Sequence, residues 1–187
     1  MNLYTGDLHF GHRNCINFDH RPFKDVGDMD TTLIKLWNSR VDKDDDVWIV
    51  GDFCYRAGYQ PNWYLRQLKG HKHLIIGNHD GVLFNDKSAH RYLETIDAMK
   101  MITDKDKEIV LCHYPLADWN KKFHGSWHIY AHIHNNTTDA YQYMCQQEHA
   151  LNAGCMINNY TPASFNELIR NNEIFKEAMR EEKRCNS

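Results

Sequence analysis

Short apolar runs that close on polar turns alternate along this chain with stretches whose apolar residues recur at helical spacing. The runs lie at residues 2–5, 47–50, 73–76, 108–112, 127–131 and 150–153. Each is apolar or β-branched and too short for a helix, so each is predicted to be a strand. The first helix is predicted over 29–38, capped by Asp28 or Asp30, with Leu33, Ile34 and Trp37 on one apolar face. A second, over 62–69, follows Pro61 and stops at Gly70, a natural residue for the left-handed position past a helix end. A last helix begins near Thr161-Pro162, where "SFNE" reads as a capping box and Phe165, Leu168 and Ile169 turn inward. Alternating strands and helices imply an α/β domain. The charge-rich stretches 42–46 and 103–107 read as solvated turns, and the final "REEKRCNS" as an end free to fray.

Composition narrows the class. A chain of 187 residues, 42% hydrophobic and 25% charged, suits one globular domain over 1–187 with a real core. No apolar run approaches the ~18 residues of a membrane span, so no membrane partner is expected. The start lacks a basic region followed by an apolar stretch and a cleavage site, and the expected compartment is the cytoplasm. A net charge of −3 provides no broad attraction for polyanions, which leaves nucleic acid only as a substrate. The 6 cysteines include no C-x-x-C pair and read as reduced thiols rather than a structural zinc site.

The unusual count is histidine, at 13. His20, His71, His73, His90 and His149 sit among polar neighbours without partner spacing and read as structural or solvated. The others follow strands. Asp7 and His9 come after the first run, Asp52 after "VWIV", Asn78, His79 and Asp80 after "HLII", His113 after "IVLC", and His132 and His134 after "WHIYA". Asp7 and His9 are poor core material, being either solvated or bound to something. Ligands gather at the carboxyl ends of strands in an open α/β sheet, so these residues have a reason to converge. Carboxylates, an amide and imidazoles together suit Mn²⁺, Fe or Zn²⁺. Asp7, His9, Asp52, Asn78, His113, His132 and His134 are too many for one ion. Two ions sharing one carboxylate would use them all, an arrangement that clamps a phosphate beside the attacking oxygen.

In "DLH", "GD", "GNHD", "CHYP" and "AHIH", in this order from Asp7 to His134, the sequence resembles the calcineurin-like metallophosphoesterases, and "DLHFGH" and "CHYP" look like their small bacterial and phage members. The resemblance implies two β-sheets packed as a sandwich flanked by helices, with a dinuclear site at one edge. It implies that Asp7, His9 and His134 hold the first metal with Asp52, that Asp52 bridges, and that Asn78, His113 and His132 complete the second. It also implies that His79 points at the substrate and Asp80 orients it. Two positions depart from the pattern: Ala131 replaces the usual glycine, and Cys112, a possible soft neighbour of the metals, stands before His113.

The function this implies is hydrolysis of phosphate esters through a hydroxide held between two divalent ions, Mn²⁺ first among them, with His79 giving a proton to the leaving oxygen. Around the motifs, His12, Arg13 and Arg56 are candidate phosphate contacts, and Trp119, Phe123 and His124 are candidate stacking residues. Fixed cations are few and the chain leaves little for a cap, which favours a phosphodiester over a monoester; the substrate is expected to be a small phosphate ester or nucleotide. The competing class is a catalytically silent metal-binding scaffold, against which the intact His79 and Asp80 argue.

Overall fold

Successive side chains of a strand point to opposite faces of its sheet. In the computed structural model, which describes residues 1–185, those faces sort into three apolar layers. Four strands, β1 (Asn2–Thr5), β2 (Asp46–Val50), β3 (His71–Ile75) and β4 (Thr95–Asp97), form a parallel sheet in the order β1-β2-β3-β4. Four more, β5 (Met99–Asp104), β6 (Lys107–Cys112), β7 (Trp127–Tyr130) and β8 (Ala150–Asn152), form a second sheet in chain order, parallel except for β5 against β6. The helices are α1 (Arg13–Phe18), α2 (Val26–Arg40), α3 (Pro61–Leu65), α4 (Gly81–Asn85), α5 (Lys87–His90), α6 (Asp139–Met144) and α7 (Phe165–Cys185). The result is a mixed α/β fold, two four-stranded sheets flanked by helices.

Leu3, Val47, Ile49 and Leu74 face Met29, Leu33 and Trp37 of α2 and Tyr64 and Leu65 of α3. The opposite faces, Tyr4, Trp48, Val50 and Ile75, meet Ile109, Leu111, Ile129 and Leu151 of the second sheet, and Phe165 and Leu168 of α7 join this layer. Outside the second sheet, Val110, Tyr130 and Ala150 pack with Tyr141 and Met144 of α6 and Phe175 and Met179 of α7. Between the sheets the edges are stitched by main chain: Tyr4 and Ala163 exchange hydrogen bonds of 2.8 and 2.9 Å, and Cys155 N–H donates to the Gly6 carbonyl at 2.9 Å.

Several boundaries differ from expectation. The predicted helix at 29–38 begins at Val26, and its cap is Asp25, whose carboxylate accepts from Asp28 N–H at 2.9 Å. Asp28 sits in the first turn and Asp30 is buried inside the helix. Helix α3 ends at Leu65, with turns carrying the chain on to Gly70. Of the expected capping box the Glu167 half forms: its Oε2 accepts from Ser164 N–H at 2.7 Å, and Ser164 Oγ–H also donates to it at 2.6 Å. Helix α7 runs through Cys185, and residues 186–187 of the expected frayed end lie outside the described residues. Strands β4 and β5 were not expected; both are half-exposed and carry no continuous apolar run. The described cysteines are free, and no described helix is long and apolar enough to cross a membrane.

His128 on β7 is fully buried. Its Nδ1–H donates to the Val110 carbonyl and its Nε2 accepts from Leu116 N–H, both at 3.1 Å, which ties the segment after β6 to the sheet. Burial pulls its pKa down to about 4 from 6.5. Between those values the unfolded chain takes a proton that the folded chain refuses, so the contribution is intact above pH 6.5 and is lost as pH falls toward 4. The stability gap between wild type and His128→Gln, from urea unfolding, is therefore expected to narrow by about 2–3 kcal/mol between neutral pH and pH 4. A gap independent of pH would contradict this role.

Candidate metal centre

The carboxyl ends of β1, β2, β3, β6 and β7 open on one edge of the sandwich, and the residues that follow them turn sharply. Asp7, His9, Asp52, His132 and His134 all have left-handed backbone, with φ of 53°, 52°, 53°, 71° and 54°. For residues with a Cβ this costs roughly 1–2 kcal/mol each, a concentration of strain typical of binding and catalytic sites. Main-chain bonds hold the turns together: Asp7 N–H donates to the Gly51 carbonyl at 3.1 Å, His9 N–H to that of Asp52 at 3.0 Å, and Ala131 N–H to that of His113 at 2.9 Å. Two glycines make room. A Cβ at Gly51, where φ is +84°, would run into the His113 ring, and one at Gly77 into the Asp52 carboxylate.

Ligand atoms of Asp7, His9, Asp52 and His134 lie within 4.8 Å of one another, a group that could hold a metal ion. His9 Nε2 stands 3.1 Å from His134 Nε2 and 3.6 Å from Asp52 Oδ2, and His134 Nε2 is 3.9 Å from Asp7 Oδ1. On the other side of Asp52, His113 Nε2 is 3.6 Å from the same Oδ2, 3.0 Å from Asn78 Oδ1 and 3.2 Å from His132 Nδ1, which is itself 2.9 Å from Asn78 Oδ1. Ligands about 2.0–2.2 Å from a common ion stand about 3–3.6 Å apart, and most of these distances fall in that range.

Protonation states make the case for a cation. His113 Nδ1 faces the Val50 carbonyl at 2.9 Å, an acceptor only, so Nδ1 carries the proton and Nε2 presents a lone pair. That lone pair meets another on Asn78 Oδ1 and the Asp52 carboxylate. His134 Nδ1–H donates to Asp19 Oδ1 at 2.7 Å, and although burial opposes its charge, the carboxylates of Asp19 and Asp7 raise its pKa. Asp7 Oδ2 and His9 Nδ1 are buried without a partner. Burial pushes the Asp7 carboxyl up and the His9 imidazole down, so both resist charging alone. A cation among these acceptors removes the conflict, and the donor set fits a divalent metal.

The structure also shows supports that the sequence left unread. Arg21, buried, donates to Asp19 Oδ2 at 3.0 Å and to the carbonyls of Leu8 and Asp7, both at 2.9 Å. Asp19 and Arg21 thus brace Asp7 and His134 from behind. Burial works against the Asp19 charge, but His134 and Arg21 hold its carboxyl below the ordinary range. Asp30 accepts from Gly11 N–H at 2.8 Å and from the Tyr64 hydroxyl at 3.1 Å, pinning the turn after His9. Asn152 Nδ2–H donates to the His134 carbonyl at 2.8 Å, while Asn172 of α7 accepts from Asn152 N–H at 2.9 Å. A carboxylate two residues before a buried arginine was the one signal on offer, and local spacing does not reveal its distant partners.

One assigned role is corrected. Asp80 does not orient the His79 ring: its carboxylate, fully buried, accepts from the N–H groups of Asp52, Gly77 and Phe53, each at 2.8 Å. It positions Asp52, and burial raises its pKa to about 6. His79 is half-buried at the mouth, its ring 4.1 Å from that of Tyr55 and 5.4 Å from that of His9, and its N–H donates to Asp52 Oδ1 at 2.8 Å. His12 lies 5.5 Å from His9 by ring centroid, and it lines with the exposed Arg13 and Arg56 a cavity of about 380 Å³ beside the centre. Ala131 packs against Gly6. Cys112 lies outside the group of possible ligands found among the described residues, and burial raises its thiol pKa. The aromatic segment is placed elsewhere: Trp119 is core, donating to the Ser126 carbonyl at 3.2 Å, and Phe123 and His124 precede the amino end of β7.

No family model matches the sequence. The chain is 30% identical over 166 residues to the uncharacterized protein MJ1445 of Methanocaldococcus jannaschii, covering 88% of this chain and 86% of that one. The chain belongs to the family of MJ1445. It is also 28% identical over 159 residues to the gene 66 protein of Mycobacterium phage L5, with 71% of this chain and 76% of the phage protein covered. Among solved structures it superposes on AQ665 of Aquifex aeolicus, a protein of unknown function, with a TM-score of 0.71 at 27% identity over 91% of this chain and 98% of that one. AQ665 shares the fold, and none of the three carries an assigned reaction in its name.

The brace behind His134 has a measurable consequence. Asp19→Ala removes the acceptor that fixes the His134 tautomer and is expected to weaken metal binding by about 10–100-fold. Calorimetric titration of the metal-free protein with Mn²⁺ checks this, and unchanged affinity would show that the Asp19 contact plays no part in binding.

Proposed function

We propose that this protein is a dinuclear, metal-dependent phosphoesterase of the calcineurin-like type. The observation that carries the reading is Asp52 Oδ2, which lies 3.6 Å from His9 Nε2 on one side and 3.6 Å from His113 Nε2 on the other, joining two groups of facing acceptors. In this reading Asp7, His9 and His134 hold one ion with Asp52, and Asn78, His113 and His132 hold the second with Asp52. Mixed oxygen and imidazole donors suit Mn²⁺, with Fe and Zn²⁺ as alternatives. Such a pair, when bound, activates water and neutralises the phosphoryl oxygens.

The remaining work falls to side chains. His79 stands at the mouth, steadied by Tyr55 and by its own N–H on Asp52, and in this reading its imidazole gives a proton to the leaving oxygen. Asp80 acts through Asp52 rather than on substrate. His12, Arg13 and Arg56 line a cavity beside the centre, and both arginines are exposed, so neither is fixed on the ligands to neutralise a dianion. A monoanionic phosphodiester is therefore favoured over a monoester, and a small phosphate ester or nucleotide is the substrate class.

Turnover of bis(p-nitrophenyl) phosphate with Mn²⁺ tests the reading. Activity is expected to vanish on chelation and to exceed, in kcat/KM, that on p-nitrophenyl phosphate. Metal-loaded protein inert toward monoesters, diesters and cyclic nucleotides would instead be a scaffold. The roles separate by substitution: Asp52→Asn is expected to lower the content of both metals, whereas His79→Ala keeps metal and loses roughly 10²-fold or more in turnover. Equal metal loss in the two variants would refute the division.

A further inference from the structure

The cavity beside the centre has a composition that the hydrolytic reading does not use. Arg13, from the first turn of α1, and Arg56, from the loop after β2, both open onto it together with His12 and Asn14. Among the described residues neither guanidinium is paired with a carboxylate; Arg56 lies over the Tyr55 ring at 5.1 Å and Arg13 has no ion pair. Asp25, next to the lining Val26, spends its carboxylate on capping α2. In a chain of net charge −3, two unpaired arginines lining one cavity concentrate positive charge there. They do not sit on the metal ligands. The rings of His12 and Tyr55 intervene, 5.0 Å apart, with His12 5.5 Å from His9 and Tyr55 4.1 Å from His79. Exposed aromatic rings lie close by: Phe18, 68% exposed and edge-on to His12 at 6.2 Å, and Tyr59, 57% exposed and stacked on Trp63 at 4.2 Å.

We propose that this cavity is a second phosphate subsite, and that the substrate is a nucleic-acid-like phosphodiester chain whose next phosphate, one sugar from the scissile ester, is held by Arg13 and Arg56. The inference rests on the phosphoesterase reading. Guanidinium forks match phosphate oxygens bidentately, and cations beside exposed aromatic rings are how single strands are held without reading their sequence. The His12 ring on the cavity wall is 5.5 Å from that of His9, so the subsite adjoins the centre without sharing its ligands, and a sugar is the spacer that a nucleotide chain supplies between two phosphates.

Calorimetric binding to the metal-loaded protein tests this without turnover. Thymidine 3′,5′-bisphosphate is expected to bind about tenfold or more tightly than either thymidine monophosphate, with the advantage shrinking as salt is raised. In the double variant Arg13→Ala/Arg56→Ala the ratio is expected to fall to about one, and in Arg13→Lys/Arg56→Lys to recover in part. Both residues are exposed, so the fold tolerates these changes. Equal affinities in the wild type, an unchanged ratio in the alanine variant, or an equal gain with thymidine 5′-diphosphate would each overturn the proposal. Hydrolysis of bis(p-nitrophenyl) phosphate without any bisphosphate preference would leave the phosphoesterase and remove the subsite. A preference in a protein that hydrolyses no ester would do the reverse.

Discussion

Acceptors held against acceptors govern this edge of the molecule. His113 Nε2 presents a lone pair to Asn78 Oδ1 at 3.0 Å and to Asp52 Oδ2 at 3.6 Å, and His134 Nε2 faces His9 Nε2 at 3.1 Å while its Nδ1–H donates to Asp19. Lone pairs at such distances repel, and a buried carboxylate without compensation costs several kcal/mol. The folded chain keeps them there through hydrogen bonds made from behind: His113 Nδ1–H donates to the Val50 carbonyl, His134 Nδ1–H to Asp19, and the N–H groups of His79 and His132 to Asp52 and Asp7. Each leaves the far side of its ligand bare. A centre built this way is preorganised for a cation.

The cost of that preorganisation is spread over the fold. Left-handed backbone at Asp7, His9, Asp52, His132 and His134 is tolerable because the loops are tied to one another rather than left to relax. Asp80 shows how tightly: one carboxylate gathers three N–H groups from two loops, and its own burial is offset by those bonds. Helix α7 reaches the same edge through Asn172 and Asn152, so the longest helix, which also packs between and outside the sheets, bears on the position of His134.

What the sequence discloses follows from this division. Ligand types directly after a strand are legible because a parallel sheet delivers strand ends to one edge, and spacing within "DLH" or "GNHD" is local. The supports are not local. Asp19 meets His134 across 115 positions and Asp30 meets Gly11 across 19, with no periodicity linking them. Asp80 was placed at the right loop but given the wrong partner, since a motif fixes where a residue stands and not which atoms it faces. Strands β4 and β5 escaped for another reason. They are half-exposed, and a strand that buries no continuous face leaves no apolar run to read.

The geometry of parallel crossovers explains which side chains can serve the centre at all. A connection between parallel strands must travel back along the sheet, so only its first few residues lie at the carboxyl edge and its last few lie at the opposite end. The segment between β6 and β7 obeys this: Tyr114, just after His113, has its ring 4.7 Å from that of His132, whereas Phe123 and His124 arrive beside the start of β7. His12, Arg13, Tyr55 and Arg56 stand in the first half of their crossovers, beyond the ends of β1 at Thr5 and β2 at Val50. Side chains that reach this edge are therefore drawn from the earlier residues of each loop, and the aromatic cluster midway along the crossover from β6 to β7 belongs to another face of the molecule.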